Sequence, residues 1–280
     1  MFPTFLGETR LRPSSDASVD GGFVHVDGRE WYEIRHCDRL APFFMSLVSS
    51  SDLWWFVAST GGMTAGRRDA DHAFLPYETE DKLTSGIAHT GPLTILRVHD
   101  ADRVHLWEPL STVLPRVHGI ERRLRKSVEG DALAFEESNL DLGLTFVATL
   151  SFGERVGFVR TVELRDDTGH ARRVDVLDGY RNVLPHGTTK ALQNRFSCLL
   201  DAYKRNELDP ATGVATYSLS SILTDRVEAS EALRANVIWS LGLDPTHVLL
   251  TPDARLEAFR HGDEVRGDHD VPEQIGRAHV

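Results

Sequence analysis

From Leu142 to Phe152 the apolar side chains fall on every second residue: Leu142, Leu144, Phe146, Ala148, Leu150 and Phe152. Between them stand Gly143, Thr145, Val147, Thr149 and Ser151. Successive side chains of a strand point to opposite faces, so this spacing predicts a strand with one face in a core and the other wet or lightly packed. The pattern resumes at Val156, Phe158, Val162 and Leu164. Asp166-Asp167-Thr168-Gly169 then reads as a turn, with Val174, Val176 and Tyr180 on the strand returning from it. Near the start, Phe23–Val26 and Trp31–Ile34 flank Asp27-Gly28, a pair suited to the positive φ angles of a hairpin turn. Leu53–Val57, Val104–Trp107, Val214–Leu219 and Ala235–Leu241 are further predicted strands.

Helical spacing is rare. Leu192, Phe196, Leu199, Leu200 and Tyr203 share one helical face, with Thr188 or Thr189 placed to cap it. A second helix is predicted from Thr251-Pro252-Asp253 through Leu256 and Phe259 to Gly262. Threonine caps, proline suits the first turn, an acid complements the helix dipole and glycine ends the run. Many strands with short turns, and no regular alternation of strand and helix, predict an all-β chain: a large antiparallel β-sandwich with one or two short helices. Its 280 residues suffice for one such domain over 22–262, after an N-terminal extension at 1–21. Residues 263–274 are charged and featureless, as a linker would be.

The last six residues, Ile275-Gly276-Arg277-Ala278-His279-Val280, reproduce the in-frame translation of a common short-read sequencing adapter up to its stop codon. A CAG codon for Gln274 would supply the adapter's first two bases. Residues 275–280 are therefore expected to be an adapter-derived tail, and the reading frame to be cut.

Charged residues make up 26% of the chain and the net charge is −11, which argues against nucleic acid or an anionic membrane as partner. Cys37 and Cys198 have no motif spacing, so neither a disulfide framework nor a zinc site is expected, and no cofactor is implied. The N-terminus lacks a basic leader with a long apolar run, and no stretch is apolar enough to span a bilayer; the expected location is the cytoplasm.

The foremost candidate for a functional loop is Gly61-Gly62 with Arg67-Arg68-Asp69. Glycines let a backbone approach a ligand or turn sharply, and paired arginines hold carboxylates, phosphates or sugar hydroxyls. The plain alternative is a strand-ending turn with solvated charges and one internal salt bridge. Trp55, beside Trp54, offers a ring for stacking on a pyranose; adjacent strand residues face opposite ways, so one of the two belongs in the core. Asp69-Ala70-Asp71-His72 has an Asp-x-Asp spacing but reads as a solvated loop, as do Glu136-Glu137 and Asp268-His269-Asp270.

The run Leu53-Trp54-Trp55-Phe56-Val57-Ala58-Ser59-Thr60-Gly61-Gly62, followed by Arg67-Arg68-Asp69-Ala70, resembles the N-terminal domain of family-94 glycoside phosphorylases of the cellobiose phosphorylase type. Those proteins carry a strand ending in Ser-Asn/Ser-Thr-Gly-Gly and then a basic loop with Lys-Asp-Ala. Ser59, Thr60, Gly61, Gly62, Asp69 and Ala70 stand in the matching places. The resemblance continues at Gly153–Leu164 and at the helix of Ala191–Phe196, and covers roughly Gly22–Gly262. The chain departs from the family at Met63-Thr64-Ala65-Gly66, where the family has aromatics, and at the acidic Tyr77–Asp81.

The resemblance implies a mutarotase-like supersandwich placed ahead of a helical catalytic domain. On that reading this chain carries no catalytic residue. It meets a carbohydrate substrate through the missing domain, and it supports a homodimer in the intact enzyme. Two alternatives remain at this stage: a stand-alone carbohydrate-binding module, and an aldose 1-epimerase-like enzyme. The second needs a glutamate base and histidine acids converging in one groove, for which His89, His99, His105 and His118 are available.

Overall fold

The computed structural model describes residues 3–12, 16–112, 114, 116–221, 234–243, 248–250, 253–263, 265 and 277–279. In chain order the first strands are β1 (Phe5–Leu6), β2 (Thr9–Arg10), β3 (Asp20–Val26), β4 (Arg29–Arg35), β5 (Phe44–Val48) and β6 (Leu53–Ala58). Next come β7 (Met63–Arg67), β8 (Gly91–His99), β9 (Val104–Trp107), β10 (Ile120–Ser127), β11 (Leu133–Asn139) and β12 (Leu144–Gly153). The last are β13 (Gly157–Asp166), β14 (Val174–Arg181), β15 (Lys204–Asp209), β16 (Val214–Leu219), β17 (Asn236–Ile238) and β18 (Arg277–His279). The α-helices are α1 (Glu80–Gly86), α2 (Lys190–Phe196) and α3 (Asp253–His261). The fold is all-β, and the paired strands are antiparallel. The chain forms two compact units: unit 1 comprises Met1–Gly62, Glu80–Ala88 and Pro109–Arg172, and unit 2 comprises Met63–Thr79, His89–Glu108 and Arg173–Val280.

Unit 1 is built on a six-stranded sheet in the order β13-β12-β11-β10-β4-β3. Its hairpins follow local turn chemistry. Asp27 and Gly28 both take positive φ, 51° and 76°, between the paired ends Val26 and Arg29, as a two-residue turn requires. Glu154-Arg155-Val156 joins β12 to β13, and Gly157 at φ 78° supplies the left-handed residue that closes the three-residue loop. One face of the sheet buries Leu124, Leu133, Phe135, Leu144, Phe146, Ala148 and Leu150. The antiparallel pair β5–β6 forms a second layer over it, with Leu47, Trp55 and Val57 fully buried. Trp55 meets Phe158 of β13 edge-on, with ring centroids 4.9 Å apart. Unit 1 is thus a two-layer antiparallel sandwich.

The other face of the sheet is drier than the alternation predicts. Thr145 and Val147 of β12 are buried. Thr145 Oγ1 donates to Asp167 Oδ2 at 2.7 Å and lies 3.0 Å from Ser138 Oγ, so the hydroxyl meets the demands of burial locally.

Unit 2 contains a sheet in the order β18-β14-β8-β9 and a three-stranded sheet β15-β16-β17. Helix α3 packs Leu256 and Phe259 against Leu93, Ile95, Leu177 and Leu249, while Leu250 turns to a second cluster with Val183, Ala215 and Tyr217. Gly262, at φ 85°, ends α3, and Asp263 N–H donates to Ala258 O at 2.9 Å. Thr189 caps α2 through Leu192 N–H at 3.1 Å, after which the chain tightens into a 3₁₀ turn over Ser197–Tyr203. Thr251 and Pro252 lie outside the described residues, as do most of 263–276. Arg277–His279 of the expected tail pair with Gly179–Arg181 of β14.

Two expectations are corrected. The strand Val174–Arg181 does not return onto β13 as a hairpin; it pairs with β8, Val174 opposite Val98. The turn after β13 leads instead out of unit 1, where strand partners lie far off in sequence. Three short α-helices also lie among the described residues, where one or two were expected. Helix α1 escapes notice because it buries only Leu83, too little for a helical period, although Glu80 and Asp81 suit its first turn.

Candidate functional site

Gly61 and Gly62 close a tight turn at the end of β6: Gly61 N–H donates to Ala58 O and Ala58 N–H to Gly62 O, both at 2.8 Å. The turn is held against α1, where Thr60 Oγ1 donates to Thr84 O at 3.0 Å. A Cβ on Gly62 would stand 1.7 Å from the Leu83 carbonyl oxygen, and Gly61 has φ 96°. Both glycines are buried, and both are required by backbone geometry. The glycine pair therefore acts inside unit 1 rather than lying open to a ligand. Trp55 is likewise fully buried, so its ring is core and not a stacking platform. Trp54 is buried too, stacked on Phe56 at 4.7 Å.

Arg67, Arg68 and Asp69 lie in unit 2, at the end of β7, and are exposed. An isolated bridge between Gly66 and Ala73 closes a short loop around them. Arg68 sits at φ 66°, in the left-handed region. Asp69 orders the loop: its Oδ1 accepts from Asp71 N–H at 3.0 Å and lies 2.6 Å from His72 Nδ1. The His72 hydrogen bond is the first reason its carboxyl is held below the usual carboxylate range. Asp69 is therefore a positioning group in its own loop. Arg67 and Arg68 form no ion pair among the described residues, so this loop offers two uncommitted guanidinium groups.

The strongest buried electrostatics lie elsewhere. Glu136 and Glu137, read from sequence as a solvated loop, occupy the middle of β11 with 3% and 2% exposure. Being neighbours on a strand, they serve opposite faces of the sheet. Glu136 accepts from Arg125 at 3.0 Å and Arg123 at 3.2 Å, and Arg125 continues to Glu33 at 2.7 Å. Burial pulls the Arg125 pKa down, but Glu33 and Glu136 outweigh it and raise the value above that of an ordinary guanidinium. Glu137 accepts from Arg122 Nε at 2.6 Å and from Leu110 N–H at 2.9 Å, while Arg122 Nη2 donates to Ser111 O at 3.0 Å. The pair thus clamps a loop in which Leu110 takes φ 63°. The cluster of arginines on β10 and the adjacent acids on β11 were the available signal, but the pairing of the two strands was needed to read it.

Cys37 is buried beside Asp38. Burial first, then the Asp38 charge, pushes its thiol up to about 11, so it stays a protonated thiol at neutral pH. Three of the four histidines considered for mutarotase chemistry meet aspartates. His99 Nε2 is 2.8 Å from Asp175 Oδ2, His105 Nε2 is 3.9 Å from Asp100 and His118 Nδ1 is 4.0 Å from Asp141. No three His, Cys, Asp or Glu side chains converge as metal ligands among the described residues. Asp268-His269-Asp270 lies outside them. None of their helices is long and apolar enough to cross a membrane.

The chain matches no family model and no curated protein sequence.

The Asp175 cluster has a calculable acid response. Burial raises the Asp175 pKa, but hydrogen bonds from His99 and Arg173 together outweigh it, so the carboxyl is held below its ordinary value. A depressed carboxylate pKa adds stability that is complete above the unfolded value and is lost as pH falls through the folded one. Asp175→Asn should flatten this part of the acid limb of unfolding below about pH 4; chemical denaturation as a function of pH through the acid limb checks it.

Proposed function

We propose that the chain is the leading, non-catalytic β-sandwich portion of a carbohydrate-active enzyme resembling the cellobiose-type glycoside phosphorylases. The observation that carries this reading is the Ser59-Thr60-Gly61-Gly62 turn. Four of the six residues that bear the resemblance form this turn, whose fit against α1 tolerates no larger side chain at Gly62. The two-layer antiparallel sandwich of unit 1 supports the same reading.

On this reading the glycine turn is scaffold, and Arg67 and Arg68 are the contact residues. Their guanidinium groups suit sugar hydroxyls, a phosphate, or carboxylates on the catalytic portion of the intact enzyme. That enzyme transfers a glycosyl group from a β-linked glucoside to phosphate, with water as the competing acceptor, in the cytoplasm and as a homodimer. The mutarotase reading is less well supported, because three of the histidines available to it, His99, His105 and His118, face aspartates rather than a glutamate base.

The test uses the reading frame recovered uninterrupted and expressed whole. It should release a sugar phosphate from a β-glucoside in the presence of phosphate. The Arg67→Ala/Arg68→Ala double variant should lower that rate or loosen the dimer at least tenfold. Unchanged kinetics and mass would remove the role of the arginines. A natural gene that stops near Pro272, or anomer exchange catalysed by the present chain in polarimetry, would overturn the reading.

A further inference from the structure

Strands β15 and β16 place Asn206 directly opposite Tyr217, so the two side chains share one face of the sheet. Both residues have 0% exposure. Around them the face is mostly apolar: Ala215 and Leu219 flank Tyr217, Leu208 lies beyond Asn206, and Val183, Leu250, Phe74 and Tyr180 pack into the same cluster. Two further polar side chains on these strands are accounted for. Asn236, opposite Tyr217 on β17, donates to Leu184 O at 2.7 Å, and Lys204 Nζ lies 2.6 Å from Asp201 Oδ1. Asn206 Nδ2, Asn206 Oδ1 and Tyr217 Oη, by contrast, have no hydrogen-bond partner among the described residues.

Each buried hydrogen-bonding atom left unpaired costs about 1–3 kcal/mol, so three on adjacent strands would consume a large share of an ordinary fold's stability. An amide and a phenol on neighbouring strands also supply the set of partners that an internal water takes, typically about three. Burial pushes the Tyr217 hydroxyl up, so it stays protonated and is able both to donate and to accept. We infer that Asn206 and Tyr217 form a binding site for one ordered internal water, which joins β15 to β16 through side chains as the ladder joins them through the backbone. In this arrangement Asn206 Nδ2 donates to the water, and the water donates one O–H to Asn206 Oδ1 and the other to Tyr217 Oη. The site is unrelated to the sugar chemistry proposed above and stands without it.

The experiment is a double-mutant cycle on the full chain, read by denaturant unfolding, with Tyr217→Phe, Asn206→Leu and both together. Each single change should lower the folding constant by about tenfold, because each strands the water and the remaining partner. The double change should lower it by little more than one single change does, since the whole site then leaves together. A folding constant that rises in Tyr217→Phe, or losses that simply multiply, would overturn the inference. A second readout needs no variant: the Asn206 side-chain amide protons should show a nuclear Overhauser effect to long-lived water in the unsubstituted chain. Absence of that signal also overturns the inference, even if a variant fails to fold.

Discussion

Gly62→Ala is expected to destabilise unit 1 by about 3 kcal/mol or more. The added Cβ would meet the Leu83 carbonyl oxygen at 1.7 Å, and that oxygen is backbone within α1, so no side-chain rotation relieves the overlap. Either α1 moves off the turn, breaking the Thr60–Thr84 hydrogen bond, or the turn opens. Two controls separate this from a general effect of glycine replacement. Gly61→Ala combines φ 96° with contact to the movable end of Ile87, and should cost about 1–2 kcal/mol. Gly22→Ala, on the edge strand β3, meets nothing within 4 Å and should stay within about 0.5 kcal/mol of the unsubstituted chain. Urea unfolding followed by tryptophan fluorescence measures all three, and Trp55 in the same unit supplies a buried reporter. If Gly62→Ala proves as mild as Gly22→Ala, the close approach of turn and helix is wrong.

The second large effect belongs to Glu137. Its carboxylate is buried, bonded to Arg122 and to the N–H of Leu110. Glu137→Ala should cost about 3–5 kcal/mol, because it leaves a half-buried guanidinium without its counter-charge and a backbone N–H without its acceptor. Glu137→Gln keeps an oxygen for Leu110 and should cost distinctly less. Replacing Glu137 and Arg122 together, by leucine and methionine, should recover much of the loss, since an apolar pair of similar volume is often as stable as the ions it replaces. Denaturant unfolding measures the series. Equal losses for alanine and glutamine would assign the whole effect to the ion pair and none to the loop.

What could be read from sequence follows from the reach of each interaction. Asp27-Gly28 and the alternation of Leu144 to Leu150 are local, and the hairpin β3–β4 and the strand β12 form where they predict. Thr189 and Gly262 mark helix ends for the same reason. The partner of β14 is not local. Val176 carries no sign that it faces Leu96 rather than the strand just before it. Glu136 and Glu137 misled in the same way: two adjacent acids read as solvent-exposed until Arg122, Arg123 and Arg125 arrive from β10 to neutralise them. Trp55 shows the limit on the functional side. Parity required that Trp54 and Trp55 face opposite ways, yet it could not reveal that both faces of β6 are covered at those positions.

The order in which the two units take up the chain bears on how a ribosome must deliver it. Unit 1 borrows its last strands from Pro109–Arg172, so the early ribbon β3–β4 leaves the tunnel long before β10 exists to cover its inner edge. In the meantime two of the three pieces of unit 2 have also been made, and both wait for Arg173 onward. At ordinary translation speeds such nascent edges stay uncovered for many seconds, the condition under which chaperones are most needed. Neither unit can be lifted out of the gene by a single pair of cuts, and recombination that exchanges contiguous blocks would break both at once.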